Sequence, residues 1–133
     1  MKAGDNFSIL NTTNLKAPTS GRFLNEIKNF YLGEKYELSV VYINKQKSKS
    51  LNLKHRNKNK PANVLSFPLA KTAGEIFIDL TELEKQSITF GLSKRNFFLK
   101  LFIHALCHLK GLLHGSKMEG VERKIQARFD LRF

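Results

Sequence analysis

Apolar and polar positions follow two rhythms along this chain of 133 residues, and the switches between them mark out its elements. From Ser20, the residues Phe23, Ile27, Phe30 and Tyr31 recur at helical spacing until Gly33, and Ser20 stands where it can cap the first turn. Tyr36 to Ile43 is rich in β-branched and aromatic residues and reads as a strand; Phe7 to Leu10 reads as a shorter one. Asn44 to Leu53 forms a lysine-studded helix, followed by an exposed basic loop from Arg56 to Pro61. Asn63 to Phe67, stopped by Pro68, and Gly74 to Leu80 are strands close enough to pair as a hairpin. Thr81 and Glu84 have the spacing of a capping box for a helix that runs toward Gly91. Ser93 caps the next helix, and from Asn96 to Gly111 that segment is apolar on nearly every side, as a helix in the core must be. Ser116 and Glu119 form a second capping box, opening a final helix with Val121, Ile125 and Phe129 inward. The pattern predicts a single α+β domain over residues 1–133, a small mixed β-sheet with a buried helix at its centre and further helices packed around it.

One polar stripe interrupts the buried helix: Lys100, His104 and His108, each four residues from the last. At 3.6 residues per turn, His104 and His108 lie one turn apart on one face, so both imidazoles reach a single point. Gly111 follows, and glycine readily takes the left-handed conformation that ends a helix, which lets the chain turn back and carry His114 toward the same place. These are three of only four histidines in the chain. Three neutral imidazoles would hold one divalent metal, zinc being the expected ion, and leave a fourth position open as catalytic sites do. Two histidines four apart are often unrelated; the third ring, and the cost of facing bare imidazoles into an apolar interior, favour a metal. Cys107 is open to two readings, a fourth ligand or a packed core residue, and its place on the apolar side of the helix favours packing.

Charge adds a partner to this picture. The chain carries a net charge of +12, and between Glu37 and Glu75 it has no acid, while Lys45, Lys47, Lys49, Lys54, Arg56, Lys58, Lys60 and Lys71 fall inside that stretch. A polyanion such as RNA suits such a segment, because each neutralised phosphate releases condensed counterions; a merely solubilising surface is the bland alternative. An apolar content of 41% with eleven phenylalanines excludes disorder, and a lone cysteine excludes an internal disulfide. No stretch approaches the roughly eighteen apolar residues of a membrane span, and the first residues lack an apolar leader core, so a soluble, cytoplasmic protein is expected.

The zinc-protease signature places a glutamate beside the first ligand, and here that position is Ala105, so peptide hydrolysis of that design is not expected. A metal can still activate water and polarise a phosphoryl oxygen. Phosphodiester cleavage then also needs positive charge where negative charge accumulates, and Arg56 is the candidate for that role. Its neighbour His55 reads as a solvated residue, with RNA stacking or ligation as the alternative.

The residues resemble the YbeY endoribonucleases, associated with bacterial ribosomal RNA maturation and ribosome quality control. The likeness runs from about Leu51 to Glu122 and comprises Leu51-Asn52, the run Arg56 to Pro68, Gly74-Glu75-Ile76 and the three-histidine motif. It implies that His104, His108 and His114 bind one metal, usually zinc, and that Arg56 lies in the same cleft and supports cleavage of single-stranded RNA. It also implies ribosomal RNA as partner, with ribosomal proteins as further partners. The chain departs from the family at Ala105, where glycine is usual, and at Leu113, where aspartate is usual. It also has Asn57, Asn59 and Ala62 where glycine, aspartate and threonine are common. Two readings remain open on sequence: a metal-dependent endoribonuclease, or a ribosome-associated RNA-binding assembly factor whose metal is structural or vestigial.

Overall fold

Three parallel strands make the centre of the sheet in a computed structural model that describes residues 1–133. In chain order the elements are β1 (Lys2–Gly4), β2 (Phe7–Asn11), α1 (Gly21–Tyr31), β3 (Glu37–Ile43), α2 (Lys45–Arg56), β4 (Val64–Ala70), β5 (Ala73–Asp79), α3 (Leu80–Thr89), α4 (Lys94–Leu109) and α5 (Ser116–Arg128). The sheet order is β1-β2-β3-β5-β4, with β2, β3 and β5 parallel and the edges β1 and β4 antiparallel to their neighbours. The result is the mixed α+β architecture expected, with α4 at the core.

Alternation along the strands explains which face is covered. Leu38, Val40 and Tyr42 of β3 and Ile76 and Ile78 of β5 are buried on one side, together with Phe7 and Ile9 of β2. Phe98, Leu99, Phe102 and Leu106 of α4 are completely buried, and Phe102 packs its ring 6.4 Å from that of Phe7. Each such side chain contributes roughly 2 kcal/mol of burial, so α4 is fixed along its whole length by many independent contacts.

Several boundaries differ from the pattern-based expectations for local reasons. Pro68 does not stop β4, which continues to Ala70; as an edge strand it has an outer side that demands no amide donor. The basic loop begins one residue late, since Arg56 is the last residue of α2 and Asn57 ends the helix in the left-handed region at φ 57°. Neither acidic capping box forms. Asp79, not Thr81, caps α3, its Oδ1 accepting from the Glu82 amide at 3.0 Å. Ser116 is already inside α5, which starts at Gly115 without a side-chain cap. Phe30 is half exposed, its ring set edge-on to Phe129 at 5.7 Å, while Leu24 and Lys28 take the buried places on α1. Strand β1 is too short for its pattern to be read.

Candidate metal centre

The end of α4 is a six-residue turn built by its own backbone. Gly111 takes φ 84°, the Gly111 amide donates to the His108 carbonyl at 2.9 Å, and the Leu112 amide donates to the Cys107 carbonyl at 3.1 Å. This is the paired hydrogen-bond pattern of a Schellman cap, which reverses the chain within one turn. The reversal aims the Leu112 carbonyl back at the helix, where it lies 3.0 Å from His108 Nδ1. It also brings His114 over the His104 and His108 rings, at centroid distances of 4.7 and 5.3 Å.

His108 has one nitrogen held by a hydrogen bond and one presented, and His104 has a carboxylate near its Nδ1. His108 donates Nδ1–H to the Leu112 carbonyl, and His104 Nδ1 lies 3.5 Å from Glu122 Oε2 of α5, leaving the two Nε2 atoms 3.0 Å apart. Two nitrogens on one tetrahedral zinc at the usual bond length stand about 3.3 Å apart, so this pair is close to ligand spacing. One ligand nitrogen from each of the three histidines lies within 4.8 Å of the others. His104 and His108, on α4, are half-buried, and His114, beyond the turn, is exposed. Burial, then the neighbouring His108, hold the His104 pKa below its ordinary 6.5, with Glu122 opposing them. A neutral imidazole is the form that binds a metal. The donor set therefore fits a divalent ion of the zinc type.

Glu122 is the member that sequence reasoning missed. A carboxylate behind a ligand imidazole fixes its tautomer and orientation. Leu113, where the resemblance implies aspartate, is 80% exposed, and a carboxylate stands near the first histidine from α5. Glu122 lies eighteen positions beyond His104 on a separate helix, so only packing shows their proximity. Ala105 is buried in the core beside the cluster and offers no base. Cys107 is fully buried next to the Tyr31 hydroxyl and outside the three-ring group; burial, with the charge of Glu122, pushes its thiol up to about 11. It is a core residue.

Arg56, expected in the same cleft as the histidines, is the last residue of α2. It lines a cleft of about 420 Å³ with Lys45, Lys58, Lys60 and, from α3, Lys85. None of the three histidines lines this cleft. Asp79, completely buried, ties its walls together, since one oxygen caps α3 while the other accepts from Ser48 of α2 at 2.7 Å. Strand β4 leaves the cleft at Asn63 and runs against α4, which links the two regions through the fold. Lys47, Lys49 and Lys54 are exposed on α2 and Lys71 sits in the β4–β5 turn, so four of the eight cations of the acid-free stretch line the cleft. His55 is exposed with its ring 4.7 Å from Phe67 and takes no part in the histidine cluster.

The fold and the three-histidine centre define an α+β protein equipped for a single divalent ion. Residues 6–130 match the family model described as Endoribonuclease YbeY, and the chain belongs to that family. It is 34% identical over 105 residues to the Endoribonuclease YbeY of Ehrlichia ruminantium (strain Gardel), covering 71% of this chain and 67% of that protein. To that of Sulfurihydrogenibium sp. (strain YO3AOP1) it is 30% identical over 109 residues, covering 74% and 72%. The solution structure of TM1509 from Thermotoga maritima superposes with a TM-score of 0.65 at 22% identity, covering 93% of this chain and 91% of that one, a likeness of fold.

Proposed function

We propose that this chain is a metal-dependent endoribonuclease that cuts single-stranded regions of ribosomal RNA during ribosome maturation and quality control in the cytoplasm. Zinc is held by His104, His108 and His114, and Arg56 is the catalytic arginine. The observation that carries this reading is the convergence of three imidazoles, one with Nδ1 held by a hydrogen bond and one with a carboxylate near its Nδ1. When bound, the ion supplies Lewis acidity and an activated water. The chain's own residues do the rest. Leu112 and Glu122 keep the two helical rings in one tautomer and one orientation. The five cations of the cleft grip the phosphate chain. For the strand to be cut, its scissile phosphate must reach both the ion held by the histidines and Arg56, whose planar fork of donors would stabilise the charge that builds on the phosphoryl oxygens. No helix is long and apolar enough to cross a membrane.

The test is cleavage of ribosomal RNA fragments by the parent, His108→Ala and Arg56→Ala proteins, purified identically, with a metal-chelated control against contaminating nuclease. The parent should cut, His108→Ala should lose both metal and cleavage, and Arg56→Ala should keep metal and lose cleavage. Equal cutting by all three would place the activity outside this site. If none cuts while all bind RNA, the chain is an RNA-binding assembly factor with a structural metal.

A further inference from the structure

Beside the cleft that holds Arg56 lies one buried polar atom that the protein leaves without a partner. Asn52 of α2 is 2% exposed, lines the cleft, and donates its Nδ2–H to the Lys60 carbonyl at 2.9 Å; its Oδ1 is buried and accepts nothing. The donated bond fixes which way the amide points, so the free atom is an acceptor. The neighbouring polar side chains of the same wall are satisfied. Asn63 donates to Gln86 at 2.7 Å, Gln86 donates to Glu82 at 3.0 Å, and Asn63 Oδ1 accepts the Val64 amide. The two other buried polar atoms without partners, the hydroxyls of Tyr36 and Tyr42, lie outside this cleft. A buried acceptor left unpaired costs about 1–3 kcal/mol, so its retention beside a ligand cleft points to a donor on the ligand.

The lining says which donor. Five cations and one acid, Glu82, line the cleft, and this net positive charge suits the phosphate chain of a nucleic acid. No aromatic side chain lines it, so nothing there offers a face on which a base would stack. On a sugar–phosphate backbone the phosphate and ring oxygens only accept, and the 2′-hydroxyl of ribose is the one group that donates. We propose that Asn52 Oδ1 accepts a hydrogen bond from a ribose 2′-hydroxyl of the strand held by Lys45, Arg56, Lys58, Lys60 and Lys85, which makes Asn52 the residue that distinguishes RNA from DNA. This rests on the reading of the chain as an RNA-cutting protein and extends it to sugar selection. Asn52 is a specificity residue and is not placed in the chemistry of bond breaking.

The experiment measures equilibrium binding, not cleavage, of one single-stranded sequence to the full chain in chelator at fixed low salt. The strand is supplied as RNA, as DNA, and as RNA carrying one 2′-deoxy substitution at each position in turn. The parent should bind RNA about 10-fold more tightly than DNA, with most of the difference recovered by deoxy substitution at a single position, as the loss of one bond to a buried acceptor would give. Asn52→Ala should lose the preference and bind RNA and DNA alike, because DNA never used the acceptor. Equal affinity of the parent for RNA and DNA overturns the proposal and leaves the endoribonuclease reading intact. Equal weakening of RNA and DNA by Asn52→Ala also overturns it, since Asn52 would then serve only to hold the Lys60 loop. Sensitivity to the base and not to the sugar at the critical position assigns the donor to a base edge and overturns it as well. Failure of the parent to bind either strand defeats the endoribonuclease reading itself.

Discussion

The imidazoles of His104 and His108 hang from a helix whose other sides are buried, whereas the cations of the cleft hang from the two ends of α2, the loop behind it and α3. In the first region core packing sets geometry before any ligand arrives, and backbone and carboxylate partners hold the rings. In the second, long charged side chains surround a polar wall tied by Asp79, and position is traded for charge. The difference suits two tasks. A metal demands donors placed to within a fraction of an ångström, while a polyanion demands a field that acts at several ångströms and adapts to the strand.

Salt should separate the two regions most widely. Five cations in the cleft correspond to a slope of log affinity against log salt near about −3.5 for single-stranded RNA, or about 10²-fold weaker binding when salt rises fourfold. Metal content should not change over the same range. A flat binding curve would mean that the cleft does not hold the phosphate chain. Arg56→Ala should come next, lowering the rate of RNA cleavage by about 10²-fold, the scale of losing one charge-stabilising donor, while circular dichroism and metal content match the parent. Loss of metal in that variant would erase the division between the regions.

Glu122→Ala acts on the metal side alone. Removing the carboxylate behind His104 should lower metal affinity by about 10-fold, measured by competition with a chelating dye, and leave salt-dependent RNA binding unchanged. An unchanged metal affinity would reduce Glu122 to a packing residue. The smallest effect is on pH. Because His104 in the folded, metal-free protein has a pKa below 6.5, the unfolded chain binds more protons between that lowered value and 6.5. Stability of the metal-free protein should therefore be full above 6.5 and fall as pH drops through that window. His104→Gln should flatten the slope in a series of thermal melts, and an unaltered slope would assign it to other groups.

The metal centre was far more legible in the sequence than the cleft. The spacing of His104, His108, Gly111 and His114 is local, and helix geometry plus one left-handed residue converts it directly into a cluster. The helices and central strands were read for the same reason, since their periodicities express burial. Glu122, Lys85 and Asp79 were not read, because each acts on a residue far away in sequence and chemistry of that kind becomes visible only after packing. The boxes at Thr81 and Ser116 failed through competition. Asp79, two residues earlier, offers a stronger acceptor at the start of α3, and the N-cap place of α5 falls to Gly115, which has no side chain to accept a bond. Charge density marked a basic segment, but not which of its eight cations share a wall.

The central claim is that three histidines hold one divalent ion, and elemental analysis of protein purified without added metal tests it most directly. The parent should carry close to one zinc-type ion per chain and His108→Ala well under half of that, with both proteins folded. Equal metal in the two proteins, or none in a folded parent after exposure to zinc, would contradict the claim.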